Sequence, residues 1–332
     1  MAFSSQWRAG VASALAAAAL LAACGGGDSS PTTTRVVSFG DSLSDLGAYT
    51  PATSLTATPG AAPYFGGKFT TNTHTEYALA GSCTGYGQGG SRVTDPNGIG
   101  KSTGALTVPI VVQMDNHLTR FTGYGEGDIV FVYGGNNDIL VLFSAVGSSQ
   151  ITPAAAIAAA QLAGTQLATA VKDKILAKGA TRVAVLNLAD TAATPAFVSL
   201  PTANKAVLTQ LSAEFNTSLV TGLAGTSAQI VDARALTAAL YNSPASFGFS
   251  NVTTTACDPA KISAITGGRV TDGSSLFCNA TAGVPFNGLR TGASTTSWLF
   301  ADSVHPTTGG HKAFADQVIT VLKNLGWMPL NQ

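Results

Sequence analysis

Two short motifs near opposite ends of the chain contain the residue types with which a serine catalyses acyl transfer. Gly40-Asp41-Ser42-Leu43 follows an apolar run, so Ser42 is expected where a buried strand ends and a helix begins. Asp302 and His305 are three residues apart, which lets a carboxylate and an imidazole meet within one turn. Pro306 disfavours a helix at His305, so this pair is expected on a loop. If the motifs meet in space, Asp302 orients His305, and His305 accepts the proton of Ser42.

Two further loops contain donors suited to the oxyanion that such an attack creates. The motif Gly135-Asn136-Asn137-Asp138 follows a second apolar run, and an Asn at the end of a strand can offer a side-chain N–H donor there. The glycine-rich segment of residues 85–91 can present backbone N–H groups closely. Taken singly, each of the four motifs is also explained as a helix cap or a turn, because Asp, Ser, Asn and Gly favour those positions. Their combination favours catalysis.

The apolar runs and the helical periodicity predict a parallel sheet that would position these loops. Four continuously apolar runs predict buried strands at residues 35–39, 128–133, 181–188 and 228–232. Apolar residues three or four apart predict three helices, one from Thr152-Pro153 to Gly179, one over residues 201–219 and one over residues 308–325. Strands that alternate with helices predict helices on both faces of the sheet. Residues 50–110 and 241–298 are predicted to be irregular.

The composition excludes several classes of protein. The chain has 332 residues, of which 45% are hydrophobic and 10% are charged, so it can bury a sizeable core and is not disordered over most of its length. The 17 Lys and Arg residues balance the 17 Asp and Glu residues. No excess of positive charge is therefore present to bind nucleic acid. No heptad pattern predicts a partner helix, so a monomer is expected.

The first 34 residues have the composition of a targeting segment. Arg8 precedes an apolar stretch over residues 10–23, which is shorter than the roughly 20 residues of a membrane-spanning helix. Residues 1–23 are therefore predicted to be a signal peptide. Leu21-Ala22-Ala23-Cys24 resembles the bacterial lipobox, in which the cysteine is acylated, and residues 24–34 are predicted to be a flexible linker. We expect an exported envelope lipoprotein, at the outer membrane, or a secreted protein if Cys24 merely follows an ordinary signal peptide.

The four cysteines suggest one disulfide and one lipidation site. With Cys24 acylated, Cys83, Cys257 and Cys278 remain. Cys257 and Cys278 lie within one region rich in Gly, Ser and Thr and are the favoured pair, since an exported compartment permits disulfides. Cys83 is then free and buried, or it competes for one of the two.

The sequence contains neither a metal-binding pattern nor a nucleotide-binding motif in its usual context. His74, His117 and His311 are expected to be structural or surface residues, because no pair of histidines has the spacing of metal ligands on a helix. Residues 100–104 match the Gly-x-Ser-x-Gly pattern of another hydrolase fold and part of a phosphate-binding loop. No predicted strand precedes them, so they are interpreted as a loop.

The order of the four motifs resembles that of the GDSL family of the SGNH hydrolase superfamily. That family has Gly-Asp-Ser-Leu near the N-terminus, a glycine-rich block, Gly-x-Asn-Asp, and Asp-x-x-His near the C-terminus. The resemblance covers roughly residues 35–325, and residues 298–311 are similar to secreted bacterial GDSL esterases. Two positions depart from the pattern. Gly85 stands where the second block usually has Asn, and Ala301 stands where relatives often have an aromatic residue.

The resemblance implies a fold and a reaction. The fold is a three-layer α/β/α flavodoxin-like sandwich with a mainly parallel sheet, over residues 35–330. The reaction is carboxylic ester hydrolysis by an esterase or lipase that needs no cofactor or metal, with an acyl-enzyme on Ser42 and with Asp302 and His305 completing the triad. The expected substrate is a small-molecule or lipid ester.

The resemblance also implies an oxyanion hole, formed by the N–H groups of Ser42 and Gly90 and by the side chain of Asn137. Two alternatives use the same site, an acyltransferase and a polysaccharide O-deacetylase. A third alternative of another class is a surface binding protein that keeps the fold without the reaction.

Overall fold

The structure is a computed structural model that describes residue 33 and residues 35–49, 67–72, 83–281 and 287–328. Within these residues, five strands form one sheet in which every neighbouring pair is parallel. The strands are β1 (Arg35–Gly40), β2 (Cys83–Gly85), β3 (Asp128–Tyr133), β4 (Arg182–Leu186) and β5 (Gln229–Val231). Their order across the sheet is β2-β1-β3-β4-β5. This is the flavodoxin-like order, so the predicted fold class is confirmed.

Seven α-helices accompany the sheet in the described part of the chain, and together they complete the three-layer α/β/α sandwich. They are α1 (Ile110–Phe121), α2 (Asn136–Gly147), α3 (Pro153–Lys174), α4 (Thr202–Leu223), α5 (Ala233–Asn242), α6 (Pro259–Ile265) and α7 (Thr308–Asn324). The main core is made of the central strands and of the apolar faces of these helices apart from α6, whose Ile262 packs in a separate cluster with Cys257 and Cys278.

The two longest helices pack against each other at close range. Thr152 caps α3, since its hydroxyl accepts the N–H of Ala155, and Pro153 occupies the first turn. A Cβ at Gly164 would lie 2.4 Å from the carbonyl oxygen of Phe215 on α4, so only glycine allows this approach. The segment Pro153–Lys178 is long and apolar enough to cross a membrane by length and composition alone. In the structure, this segment packs closely against α4 and buries one of its faces, as a helix of a protein core does.

The predicted strands and helices agree with the structure to within a few residues, whereas the regions predicted to be irregular contain further elements. The three-residue strand β2 and the seven-residue helix α6 lie in those regions. Both are too short to produce a periodic pattern. Helices α1, α2 and α5 were not predicted either.

The register of the sheet brings two of the four motifs together. Gly40, the last residue of β1, pairs with Tyr133, the last residue of β3. The segments that follow these two strands therefore emerge side by side at the carboxyl edge of the sheet. Ser42 and Asn137 lie in those segments.

Candidate active site

Ser42 begins a short 3-10 turn, Ser42–Ser44, directly after β1. Asp41 caps this turn: its Oδ1 accepts the N–H of Leu43 at 3.1 Å, and its Oδ2 accepts Nδ2 of Asn136 at 3.1 Å. Asp41 is fully buried, and burial raises the pKa of its carboxyl to about 6. The capped turn holds Ser42 at the wall of a cavity.

The side chain of Gln113, on α1, binds the backbone of Gly40, the last residue of β1. The Oε1 of Gln113 accepts the N–H of Gly40 at 2.9 Å, and its Nε2 donates to the Gly40 carbonyl at 2.9 Å. The same Nε2 donates to the carbonyl of Val108 at 2.9 Å. A Cβ at Gly40 would lie 2.2 Å from the carbonyl oxygen of Tyr133, so glycine is required at the end of β1. Gln113 thereby fixes the backbone two residues before Ser42.

Ser42, His305 and Asp302 form a continuous line of hydrogen bonds, although Ser42 and His305 are 263 residues apart in the sequence. The distance from Ser42 Oγ to His305 Nε2 is 2.8 Å. His305 Nδ1 lies 2.9 Å from both carboxylate oxygens of Asp302, so Nδ1 carries the proton and Nε2 is free to accept one. This is the arrangement of a serine nucleophile, a general base and an orienting carboxylate.

The Asp302 carboxylate is buried and its oxygens are fully engaged. Its Oδ1 accepts the N–H groups of Val304 and His305 at 3.0 and 2.8 Å, and its Oδ2 accepts the N–H of Ser275 at 2.7 Å. Burial alone would raise the pKa of Asp302, but the charge of His305 and these hydrogen bonds hold it well below its usual range. Asp302 is therefore ionised at neutral pH.

The pKa of His305 is shifted upward, whereas that of Asp302 is shifted downward. Burial by itself would lower the pKa of the imidazole, but the charge and hydrogen bond of Asp302 outweigh it and raise the pKa above its ordinary value. The ring of Phe69 packs against the imidazole, with 4.7 Å between the ring centroids. Nε2 of His311 donates to the carbonyl of Phe69 at 3.3 Å, and burial lowers the pKa of His311 to about 4.

The three groups predicted to form an oxyanion hole line the same cavity as Ser42. Asn137 is buried, and one of its two amide hydrogens is donated to the carbonyl of Ser91 at 2.9 Å, which leaves the other for a ligand. Gly90 has a φ of +81°, the left-handed region that favours glycine. Among the described residues, no acceptor takes the backbone N–H of Ser42 or of Gly90. The N–H groups of Ser42 and Gly90 and one amide hydrogen of Asn137 thus have no acceptor among the described residues, and all three residues line the cavity.

Two buried carboxylates that the sequence reasoning did not assign hold the loop around Gly90. The Oδ2 of Asp45 accepts the N–H of Gly89 at 2.9 Å. The Oδ2 of Asp138 accepts the N–H of Val93 at 2.9 Å, and its Oδ1 accepts Nε of Arg92 at 3.0 Å. Both carboxyls have a raised pKa because they are buried. The only available signal was that Asp138 belongs to the motif of Asn137 and that Asp45 lies three residues after Ser42.

The cavity that contains Ser42 and His305 has a volume of about 370 Å³. Most of its wall consists of aromatic and aliphatic side chains, among them Tyr49, Phe69, Leu140, Leu240, Phe300 and Phe314. No Lys, Arg, Asp or Glu belongs to its wall among the described residues. The site is therefore suited to an uncharged, apolar group next to the nucleophile.

The remaining predicted residues lie in several places. Cys257 and Cys278 form a disulfide, as predicted. Cys24 and His74 lie outside the described residues, and the side chain of Cys83 is not described. His117 is buried: Nδ1 accepts the hydroxyl of Tyr86 at 3.2 Å, and Nε2 donates to the carbonyl of Gly123 at 3.3 Å. It is a structural residue, as expected.

The two weaker patterns of the sequence behave as ordinary loop. Residues 100–104 contain the 3-10 turn Lys101–Thr103. The structure describes the chain continuously from residue 83 to this turn, and the one strand in that stretch is β2, which ends 15 residues before Gly100. Within the described part of the chain, no group of three or more His, Cys, Asp or Glu residues has the geometry of a metal site.

The sequence profile of the GDSL-like lipase/acylhydrolase family matches residues 36–318, which is most of the chain. The chain belongs to this family. No curated protein matches it at a significant level. Membership of the GDSL-like family, together with the α/β fold, supports hydrolase activity of the esterase or lipase type. The geometry around Ser42 shows how such a GDSL-like site is assembled here.

Proposed function

We propose that this GDSL-like protein hydrolyses carboxylic esters through an acyl-enzyme on Ser42. The observation that carries the proposal is the line of hydrogen bonds from Ser42 through His305 to Asp302, with 2.8 Å between Ser42 Oγ and His305 Nε2. It opens into an apolar cavity next to three unused N–H donors. A surface binding protein has no need of a base within hydrogen-bond distance of an accessible serine.

The first half of the proposed reaction forms the acyl-enzyme. Ser42 Oγ attacks the ester carbonyl carbon while His305 Nε2 accepts the hydroxyl proton. The negative charge that develops on the carbonyl oxygen is stabilised by the N–H groups of Ser42 and Gly90 and by Nδ2 of Asn137. His305 then donates the proton to the departing alkoxide, which leaves as an alcohol.

The second half releases the acid. His305 Nε2 accepts a proton from water, and the hydroxide attacks the acyl carbon of the ester on Ser42. The same donors stabilise the second oxyanion, and the proton returns to Ser42 Oγ as the carboxylic acid leaves. Asp302 stays ionised throughout and stabilises the imidazolium that forms twice in each turnover.

The cavity supports an apolar acyl chain as the substrate class. Its wall is aromatic and aliphatic, and its described residues carry no charge apart from the histidines. An acyl chain gains free energy when such a wall removes it from water, at about 25 cal/mol per Å² of apolar surface. An acetylated polysaccharide would bring several hydroxyl groups, for which this mostly apolar wall offers few partners, among them Thr237 and Tyr241.

The test compares Ser42→Ala with Ser44→Ala, a matched control in the same turn. We expect Ser42→Ala to abolish hydrolysis of p-nitrophenyl esters and labelling by a fluorophosphonate, because the nucleophile is lost. Ser44→Ala should retain both. The wild-type protein is assayed on esters of increasing chain length, with acetylated sugars and with competing alcohols. Full hydrolysis by a folded Ser42→Ala variant would overturn the proposal, and ester products with added alcohols would indicate an acyltransferase.

We also propose that the protein is exported and carries lipid on Cys24. The proposal is supported by the disulfide in the folded domain, since such bonds persist in oxidising compartments. Mass spectrometry of the mature N-terminal peptide should show a diacylglyceryl group on Cys24, and the Cys24→Ala variant should lose it. A mature chain that starts elsewhere and carries no lipid would contradict this.

A further inference from the structure

A loop from the region between α6 and α7 contacts Asp302 from outside the Asp302–His305 motif. The loop contains the 3-10 turn Ser275–Phe277 and ends at Cys278. Ser275 is fully buried, and its backbone N–H donates to Oδ2 of Asp302 at 2.7 Å. The other backbone donors to this carboxylate, Val304 and His305, belong to the motif itself. Ser275 therefore fixes the carboxylate against a separate part of the fold.

The disulfide ties this loop to the segment that supports Asp302. Cys278 is bonded to Cys257, and the N–H of Cys257 donates to the carbonyl of Ala301 at 2.8 Å. Ala301 is the residue directly before Asp302, and its side chain packs in one buried cluster with both half-cystines. The disulfide thus holds the loop and the backbone of Asp302 in one unit.

Asn72, in the segment of residues 67–72, contacts the same loop through its side chain. Its Nδ2 lies 3.0 Å from the carbonyl oxygens of both Ser275 and Cys278, and its two hydrogens are shared with the carbonyls of Lys68 and Thr70 in its own segment. Asn72 is buried, and Phe69, three residues earlier, packs against the imidazole of His305. The loop is therefore held at Cys278 by a covalent bond, and the amide of Asn72 contacts the carbonyls of Ser275 and Cys278 on either side of the turn.

We propose that Ser275 is a positioning residue for Asp302, and that the Cys257–Cys278 disulfide and Asn72 keep its amide in place. The inference rests on the proposed function, because it assigns a support to the catalytic carboxylate. The contact uses a backbone N–H, so no side-chain motif marks it. Both half-cystines are fully buried, so a reductant reaches the disulfide only when the loop opens. We call the Cys257–Cys278 disulfide and Asn72 together the brace of Ser275.

The brace acts on the reaction through the charge that faces His305. The groups that act on this imidazole are Asp302, Asp41 and Asp272, which raise its pKa, and the neighbouring His311. If the loop loosens, the Asp302 carboxylate loses its outer donor and leaves the imidazole for part of the time. The pKa of His305 then falls, and the imidazolium of the transition state loses its stabilising charge.

The test uses a readout that does not depend on ester hydrolysis. The chain has four histidines, so the imidazole of His305 can be followed by NMR titration and assigned with His305→Gln. The variants are Cys257→Ala with Cys278→Ala, and Asn72→Ala with the disulfide intact. We expect the pKa of His305 to fall by about 1 in both. Esterase kcat should fall roughly 10–100-fold, with little change in KM, because the misplacement affects the base rather than substrate binding.

The control is Leu219→Ala, which removes a fully buried side chain from the main core on α4 and touches none of these groups. It should lower the stability and leave the titration of His305 unchanged. An unchanged His305 titration in the folded cysteine variant, or an equal change in Leu219→Ala, would overturn the inference. If the cysteine variant does not fold by circular dichroism, Asn72→Ala decides in the same way. If the wild-type protein hydrolyses no ester, the proposed function fails, whereas the titration still decides whether Ser275 positions Asp302.

Discussion

Replacing Asn137 with alanine is a direct test of the oxyanion hole. Asn137 lies at the start of α2, and its Nδ2 donates one hydrogen to the carbonyl of Ser91 at 2.9 Å. The second amide hydrogen has no partner among the described residues and faces the cavity that contains Ser42. The substitution therefore removes one proposed donor to the oxyanion and one donor to a buried loop.

The two losses have different magnitudes and different readouts. Loss of one oxyanion donor is expected to lower kcat roughly 10²–10³-fold, which corresponds to about 2.7–4 kcal/mol of transition-state stabilisation. KM should change little, because the bond strengthens only when charge develops on the oxygen. The carbonyl of Ser91, a fully buried residue, loses a donor at a cost of about 1–3 kcal/mol in the free energy of unfolding.

The neighbouring Asn136 provides the matched control. Its Nδ2 donates to Oδ2 of Asp41 at 3.1 Å, so Asn136→Ala removes the same chemical group from the same helix end. Both variants are assayed for kcat and KM on one p-nitrophenyl ester, well below the unfolding temperature of each variant. Asn136→Ala should lose far less activity than Asn137→Ala. If Asn137→Ala kept the kcat of the wild-type protein, or if it raised KM alone, the assignment of Asn137 as the oxyanion donor would be wrong.

The esterase activity should rise with pH as His305 loses its proton, and because Asp302 raises the pKa of His305, the inflection of kcat/KM should lie above 6.5, the ordinary value for histidine. In Asp302→Asn the inflection should move to lower pH and kcat should fall about 10⁴-fold, whereas an unchanged inflection would contradict the tuning of His305 by Asp302. Gln113→Leu should lower the free energy of unfolding in urea by about 2–4 kcal/mol, because the N–H of Gly40 and the carbonyl of Val108 lose their partner. Gln161→Leu, at an exposed site, should change it by no more than about 0.5 kcal/mol, and equal effects of the two variants would rule out the clamp on Gly40.

The sequence was sufficient for four of the five described strands and for the choice of the candidate site residues. Short apolar runs such as residues 128–133 and 183–188 are buried almost throughout, so their composition and length favour strands of a parallel sheet. The nucleophile, base and carboxylate are marked by residue type and by order along the chain. Because parallel strands end at one edge of the sheet, the fold class already places the carboxyl ends of β1 and β3 on the same side of the molecule.

The tertiary structure decided how these groups are held. Gln113 binds the backbone of Gly40 across 73 residues of sequence, and Asn72 binds the backbone of Ser275 across 203. In each contact, a side chain pairs with a peptide group, which every residue possesses. The residue type of Gly40 or Ser275 therefore does not reveal that its peptide group is bound. No spacing rule predicts contacts between residues so far apart in the sequence. Sequence patterns record side chains that act locally, whereas the supports of Ser42 and Asp302 exist only once distant segments pack together.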